Sequence, residues 1–473
     1  AAEFGAGATL DIYYAAFRVP DLLYVLFAST LSIYVLVPFV AKARSDGGAP
    51  LASRLLAEVF TLFLVVYVLI AAAAFVAAPL LAQLLFPGIE QYELLATVMR
   101  ILLLQPLFLG ISSLCGVITQ LEHRFVIYAI SPLLYNVGII FGILFLYPLF
   151  GLAGLGYGVV LGALAHLLVQ LPLVLRSELK FNLVGSFDWS SIRSILATSL
   201  PRAVTLSLNQ VVLLALFGLA SVMAAGSVSV FQFAYNLQSV PLAIIGVSYS
   251  VAAFPRLAEL FSTGEMTKFR AHVVTALRHI IFWSVPAIAL IIVLRAQLVR
   301  VVLGSGAFDW DDTRLTAATL AVLAIALVSL AMNLLLVRAL YAGGRTAVPL
   351  LITLVGSSLA LILAAVFYML HIAHPEWQIR LVELMRLNEV IGTEVLALAL
   401  GYAIAMIIQS AILLAVVGRL YQLPLALIGR HSVVAFLAAV AAGVSAYATL
   451  NFVVDGINPE TFLGIFIQGL LAG

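Results

Sequence analysis

Residues 10–43 read LDIYYAAFRVPDLLYVLFASTLSIYVLVPFVAKA. The stretch is long enough to cross a bilayer, since about 20 apolar residues span the ~30 Å hydrocarbon core. Yet it carries Asp11, Arg18 and Asp21, and a Pro20 that favours a kink. Its polar side chains are not scattered. Asp11, Tyr14, Arg18, Asp21, Ser29 and Ser32 recur at steps of three or four, with one step of eight, which holds them on one face of a helix. An arginine in the middle of a lipid-facing helix costs about 3 kcal/mol or more, so such residues turn toward a bundle interior or a wet cavity. The stretch is therefore predicted to form one wall of a polar cavity inside a membrane protein.

The rest of the chain agrees with that setting. Hydrophobic residues make up 64% of it and charged residues 9%, with a mean hydropathy of +1.20, whereas soluble domains carry about 25% charged residues. The long apolar runs do not alternate with period two, so an all-α polytopic membrane protein is expected rather than a barrel. The single cysteine, Cys115, lies in an apolar run and cannot form an intramolecular disulfide. No clustered His, phosphate-binding glycine loop or nucleophile with a base is present. Neither an enzyme, a bound cofactor or metal, nor a nucleic-acid partner is expected.

Thirteen apolar runs are candidate spans: 10–42, 55–86, 92–120, 125–149, 151–175, 194–222, 227–262, 272–303, 313–342, 346–372, 393–419, 432–454 and 459–473. Alternate loops are rich in Lys and Arg, including Lys42, Arg44 and Arg54, then Arg176, Lys180 and Arg193, then Arg256, Lys268 and Arg270. Such loops face the cytoplasm, which places residues 1–9 outside. The segment EWQIRLVELMRLNEV, 376–390, reads as a short amphipathic helix on the membrane surface.

An internal repeat organises these spans. Ala16-Phe17-Arg18 aligns with Ala234-Tyr235-Asn236, and Pro38 with Pro255 after a one-residue gap. Both copies run from outside to inside, which makes the repeat a parallel one. The run 194–222 precedes the second copy and has no counterpart before the first, so an intact protein is expected to have a fourteenth helix ahead of residue 1. Two further polar stripes belong to the repeat. Run 194–222 carries Thr198, Arg202, Thr205 and Asn209, and run 227–262 carries Ser229, Gln232, Asn236 and Ser239. Ser, Thr and Asn often serve as glue between membrane helices, but three coordinated stripes, two with arginine, favour a water-filled cavity. Asp11, Arg18, Arg202, Asn209, Gln232, Asn236 and Ser239 are the candidate substrate-binding residues. With no site for ATP, a carrier must draw on an ion gradient, the membrane potential or the substrate gradient itself.

Several stretches in order resemble the MurJ (MviN) lipid II flippases, within the larger superfamily of multidrug and polysaccharide-lipid exporters. FGAGATLDIYYAAFRVPDLL (4–23) is similar to the family's stretch before and within its second helix. HRFVIYAISPLLYN (123–136), GLGYGVVLGALAHLLVQLP (154–172) and AGSVSVFQFAYNLQSVPLAIIGVSYSVAAFPRLAEL (225–260) resemble three further family elements. GSGAFDWDDTRLTAATL (304–320) and LLVRALYAGGRTAVPL (335–350) match an outer loop and a turn.

The resemblance implies two pseudosymmetric helical bundles around a central cavity, with residues 1–180 as one and 181–425 as the other. Residues 426–473 would supply two trailing helices with a groove for a polyprenyl tail. It also implies a monomeric carrier in the bacterial inner membrane, moving an undecaprenyl-type lipid-linked peptidoglycan precursor to the outer face. Coupling to the membrane potential or to a monovalent cation stays open. The family binds its anionic head group through arginines, and this sequence has Tyr24, Val25 and Asn236 at three of those positions. Arg18 and Arg202 remain as the cations. Another polyprenyl-linked glycan or a small amphiphile as substrate, or a non-transporting scaffold, is the alternative.

Overall fold

Every regular element among the described residues of the computed structural model is helical. In lipid this is what backbone chemistry demands, because a helix satisfies its own N–H and C=O groups. The structure describes residues 2–453 and 461–473, and the side chains of residues 29, 30, 33, 34, 201, 202 and 375 lie outside the described residues. The chain divides into two compact units, Ile12–Gly218 and Ala1–Asp11 with Leu219–Gly473.

The first unit is built from α1 (Ala8–Thr30, entering from the other unit), α2 (Ile33–Leu85), α3 (Tyr92–Leu102), α4 (Leu104–Leu121), α5 (Phe125–Phe141), α6 (Tyr147–Phe150), α7 (Leu152–Leu168), α8 (Leu171–Arg176) and α9 (Trp189–Ser221). The continuous span expected over 10–42 stops at Thr30, and the chain restarts from an extended Ser32 (φ −61°, ψ 137°). The basic loop expected after residue 42 is instead largely helical up to Gly47 and Gly48. Gly48 takes φ +70°, a conformation that glycine adopts without steric cost, and α2 bends there.

Leu36, Leu56, Tyr67, Leu114 and Ile118 form the core of this unit, with Leu179, Ile192 and Ile195 packed into the same cluster. The buried Tyr67 hydroxyl donates to the Leu103 carbonyl, where α3 gives way to α4. Tyr67→Phe leaves that carbonyl without its hydroxyl donor, at an expected cost of ~1–3 kcal/mol. Thermal unfolding of the purified protein in detergent measures this, and an unchanged midpoint would show that the hydroxyl contributes nothing.

Glycine draws α5 and α7 together. Gly138 and Gly142 on one side meet Gly154, Gly158 and Gly162 on the other, and α5 continues into a π-helical turn at Gly142–Leu146. Small residues spaced by four let membrane helices approach backbone to backbone.

The second unit holds α10 (Ser227–Pro241), α11 (Ser248–Ser262), α12 (Met266–Val293), α13 (Arg295–Leu303), α14 (Trp310–Ala324), α15 (Leu327–Ala342), α16 (Ala347–Ala373), α17 (Pro375–Met385), α18 (Val395–Tyr421), α19 (Leu425–Ala448) and α20 (Phe462–Ala472). Between α10 and α11 lies a π-helical turn, Leu242–Val247, directly after Pro241. Proline has no N–H to give to the helical ladder, and π turns are single-turn defects of that kind. Leu257, Phe269, Leu277, Leu335, Leu340 and Leu413 make the core. The short helix expected in 376–390 is α17, ended by Arg386 in the left-handed region at φ +59°.

Among the described residues, ten helical stretches are long and apolar enough to cross a membrane, or eleven if α14 and α15, bent by 44°, form one span. The chain is a multi-pass membrane protein. The expected count of thirteen is not reached among the described residues. The charged α1 and the 11-residue α20 are the two runs that do not qualify.

The unit boundary also falls elsewhere than residue 180. Ile192 and Ile195 of α9 are buried with α2 and α4, so most of α9 stays with the first unit. Residues 426–473 do not form a separate appendage in this division, because Ile428 and Ala435 of α19 share the core of α12 and α15.

Candidate functional site

The head of α10 is a densely hydrogen-bonded polar spot. The Asp11 carboxylate, 7% exposed, accepts from the Gly226 N–H at 2.6 Å, the Ser229 N–H at 2.8 Å and the Ser229 hydroxyl at 2.6 Å. A helix leaves its first N–H groups without partners and carries a partial positive charge at that end. A carboxylate placed there answers both needs, which is the role an acidic N-cap performs within one segment. Here the acid arrives from the start of α1, far away in sequence.

The segment before Asp11 is fixed in the same unit. Ala6 N–H donates to Asp312 Oδ2 at 2.8 Å, and Ala307 N–H donates to the Ala2 carbonyl at 2.7 Å. Two glycines make room for it. Gly226 (φ +95°) and Gly306 (φ +62°) each lie so close to a carbonyl, that of Ala6 and that of Ala2, that a Cβ would collide. The two sequence motifs FGAG and GSGAFDWDD are thus partners in space.

Below this cap the expected stripe on α10 is real as a face. Gln232 is half-buried, and Asn236 and Ser239 are exposed. Gln232 Nε2 donates to Asn236 Oδ1 at 2.7 Å, and the Ser239 hydroxyl donates to the Asn236 carbonyl at 2.6 Å. Tyr235 packs edge-on to Tyr402 of α18, with ring centroids 6.2 Å apart. Gln238 points the other way and donates to the Leu323 carbonyl inside the unit. The face offers a row of amide and hydroxyl groups able to donate and accept in turn, the chemistry that recognises sugars and peptides.

Arg18 has a different neighbourhood, and the contacts named here are with residues of the first unit. It is 7% exposed. Its guanidinium carbon lies 4.1 Å from the centre of the Phe217 ring, its Nε donates to the Tyr14 carbonyl at 3.2 Å, and Nη2 stands 3.9 Å from Asp21 Oδ2. Arg18 and Asp21 together carry no net charge. On α9, Asn209 is exposed and Thr205 half-buried. Arg202 lies on the same helix, and its side chain is outside the described residues.

The structure therefore brings Gln232, Asn236 and Ser239 together, joins Asp11 to Ser229 at the head of the same helix, and sets Arg18 among Tyr14, Asp21 and Phe217. Sequence reasoning missed Phe217 and Tyr402, which nothing local marks. The Gly-Ser-x-Ser at 226–229 was the available sign that α10 needs a cap. Among the described residues no group of three or more His, Cys, Asp or Glu is placed to hold a metal ion.

The family profile described as "Lipid II flippase MurJ" matches residues 1–376. A relative from Buchnera aphidicola subsp. Acyrthosiphon pisum, described as "Probable lipid II flippase MurJ", is 27% identical over 360 residues, covering 74% of this chain and 70% of its own. The solved structure described as "Lipid II flippase MurJ, inward closed conformation" superposes with a TM-score of 0.75 at 20% identity, over 98% of this chain and 91% of that one. A multidrug resistance transporter of the MATE family, in the MOP superfamily, gives a TM-score of 0.75 at 15% identity, over 88% and 92%. These last two likenesses show a shared fold, and with the profile covering most of the sequence, the chain belongs to the lipid II flippase MurJ family.

Proposed function

We propose that this protein carries lipid II, a polyprenyl-linked peptidoglycan precursor, from the cytoplasmic to the outer leaflet of the bacterial inner membrane by alternating access. The observation that carries the reading is the family match over residues 1–376. The accessible row Gln232, Asn236 and Ser239 supports it, since sugar and peptide groups need such donors and acceptors. Arg202 is the cation proposed to meet the pyrophosphate, and Asn209 on the same helix a polar contact. The neutral Arg18–Asp21 pair holds the middle of α1 in shape.

The protein acts as a monomeric carrier and leaves the covalent structure of its cargo intact. Residues 1–9 lie outside and the basic loops face the cytoplasm, as the distribution of Lys and Arg supports. Driving force comes from the membrane potential, which acts at ~2.3 kcal/mol per charge per 100 mV, or from a monovalent cation gradient.

The test is rescue of cells depleted of their own lipid II flippase by the full-length protein. Wild type is expected to restore growth and Arg18→Ala to abolish it. Arg18→Lys keeps the charge but loses the planar stack on Phe217, a contact worth ~0.5–2 kcal/mol, and is expected to rescue in part. A wild type that inserts and does not rescue contradicts the substrate, and full rescue by Arg18→Ala contradicts the role of that residue.

A further inference from the structure

The break between α7 and α8 has a chemistry of its own inside the first unit. Pro172 has no N–H to return to the Leu168 carbonyl, so α7 stops at Leu168 and the Gln170 N–H turns to the Leu167 carbonyl at 3.1 Å. In a continuing helix that N–H would have gone to the His166 carbonyl, which instead faces side chains. The Ser112 hydroxyl of α4, 1% exposed, lies 3.2 Å from this carbonyl and 2.7 Å from His166 Nδ1. The buried Gln170 amide completes the group, donating to Ser112 Oγ at 2.6 Å.

His166 is half-buried, and no other Asp, Glu, Lys, Arg or His occurs between residues 125 and 175. An ionisable side chain inside a span is costly and marks a function by default. Among the described residues no charge on the elements packed against α7 bears on it. α3 meets α7 at Gly156 through Val98 and Ile101, and its Arg100 bonds the Phe75 carbonyl. Tyr92 and Glu93 of α3 and Arg176 of α8 are exposed, and Glu122 after α4 takes the Ser177 hydroxyl. Cys115 lies in the cluster around α2, Tyr128 and Tyr135 lie toward Tyr24, and Tyr147 and Tyr157 stand at the start of α7.

We propose that Ser112, His166 and Gln170 form a proton-binding site within the membrane span. With the imidazole neutral, hydrogen bonds run from the Gln170 amide to the Ser112 hydroxyl and on to Nδ1, while Nε2 keeps its hydrogen. A proton arriving from water on Nδ1 reverses the last bond. The charged ring then donates to Ser112 Oγ, and the serine hydrogen turns to the His166 carbonyl that the helix break set free. A serine oxygen accepts twice, so it serves the imidazolium and the Gln170 amide together. No hydrogen bond is lost in either state, and the group takes up a proton without parting the packed helices. Proton binding is independent of what the protein carries. Use of that proton as the cation that drives transport rests on the carrier reading above.

The experiment follows the histidine side chains of the full-length protein in detergent by nitrogen NMR, from about pH 5 to about pH 8, where imidazole titrates. His166→Gln identifies the signal. Wild type is expected to show His166 gaining one proton on Nδ1 in this range, with hydrogen exchange at residues 166–171 unchanged by pH. Ser112→Ala is expected to lower the proton affinity about tenfold, one pH unit, because a hydrogen bond to the charged ring outweighs one to the neutral ring. Gln170→Leu nearly keeps the buried volume and is expected to raise the affinity by a smaller factor, since the amide no longer competes for Ser112 Oγ. His374→Gln, exposed in the second unit, leaves His166 unchanged. A role as glue between helices predicts a ring that stays neutral throughout, and that result overturns the proposal. Titration that neither Ser112→Ala nor Gln170→Leu shifts overturns it as well. No lipid II enters the measurement, so this test and the rescue test fail independently.

Discussion

Asp11→Ala is expected to abolish transport, and Asp11→Asn to come close to doing so, although neither removes any apolar contact of size. The carboxylate accepts three hydrogen bonds, two of them from backbone N–H groups at the start of α10. Hydrogen bonds to a charged group are worth ~1.5–3 kcal/mol each when buried, and a lost N-cap alone costs up to ~2 kcal/mol. Removing the acid leaves the Gly226 and Ser229 N–H groups without their partner. Asparagine keeps one acceptor but sets an NH₂ against one of those donors.

The expected loss is ~3 kcal/mol in the stability of the α10 head, and the row Gln232, Asn236 and Ser239 begins one turn further on. Growth of flippase-depleted cells carrying the full-length variants reads out the effect, and hydrogen exchange at residues 226–230 reads out its cause. Wild-type growth with unchanged protection would remove Asp11 from the account.

Gly158→Val is expected to damage folding of the first unit severely. A Cβ at Gly158 would stand 2.9 Å from the Gly138 carbonyl oxygen and 3.0 Å from the Gly142 nitrogen. Both obstacles are backbone, so no side chain can swing aside, and α5 and α7 must separate along their whole glycine seam. Overpacking of a well-packed site costs ~1–3 kcal/mol and more where nothing yields, so ~3 kcal/mol or more is expected here. Gly185→Ala is the control, since a Cβ there meets nothing within 4 Å, and its effect should stay within about 0.5 kcal/mol. The measurements are yield and melting temperature of each variant in detergent. Equal melting temperatures for Gly158→Val and wild type would show that the seam is looser than its geometry.

Much of this was legible in residue order. Helical class and most spans follow from long apolar runs with few charges, because in lipid only closed backbone ladders survive. The polar row on α10 follows from steps of three and four. What could not be read depends on partners remote in sequence. Arg18 announced that it must be buried, but Phe217, the ring it lies on, is an unremarkable aromatic in an apolar run. Asp11 was grouped with cavity residues because it shares a face with Arg18, and only the folded chain places it on Gly226 and Ser229. The break at Leu31–Ser32 has no Gly or Pro of its own and so left no mark. In the repeat-related helix the ladder is also interrupted, by the π turn after Pro241.

Where the compact units divide also depends on partners remote in sequence. The resemblance implied bundles of residues 1–180 and 181–425, and Leu179, Ile192 and Ile195 are buried against α2 and α4. Side chains at intervals within a polar stretch decided the packing, and composition averaged over the stretch concealed them.

The central claim is that this protein brings lipid II to the outer leaflet, and the direct measurement is the exposure of lipid II on the outer face of intact cells. Cells whose own flippase has been shut off, expressing the full-length protein, receive an external enzyme that cleaves lipid II, and the cleaved product is counted. Cleavage restored by wild type and lost with Asp11→Ala, at equal amounts of both proteins in the membrane, is the predicted result. Lipid II that stays protected with wild type correctly inserted would contradict the account.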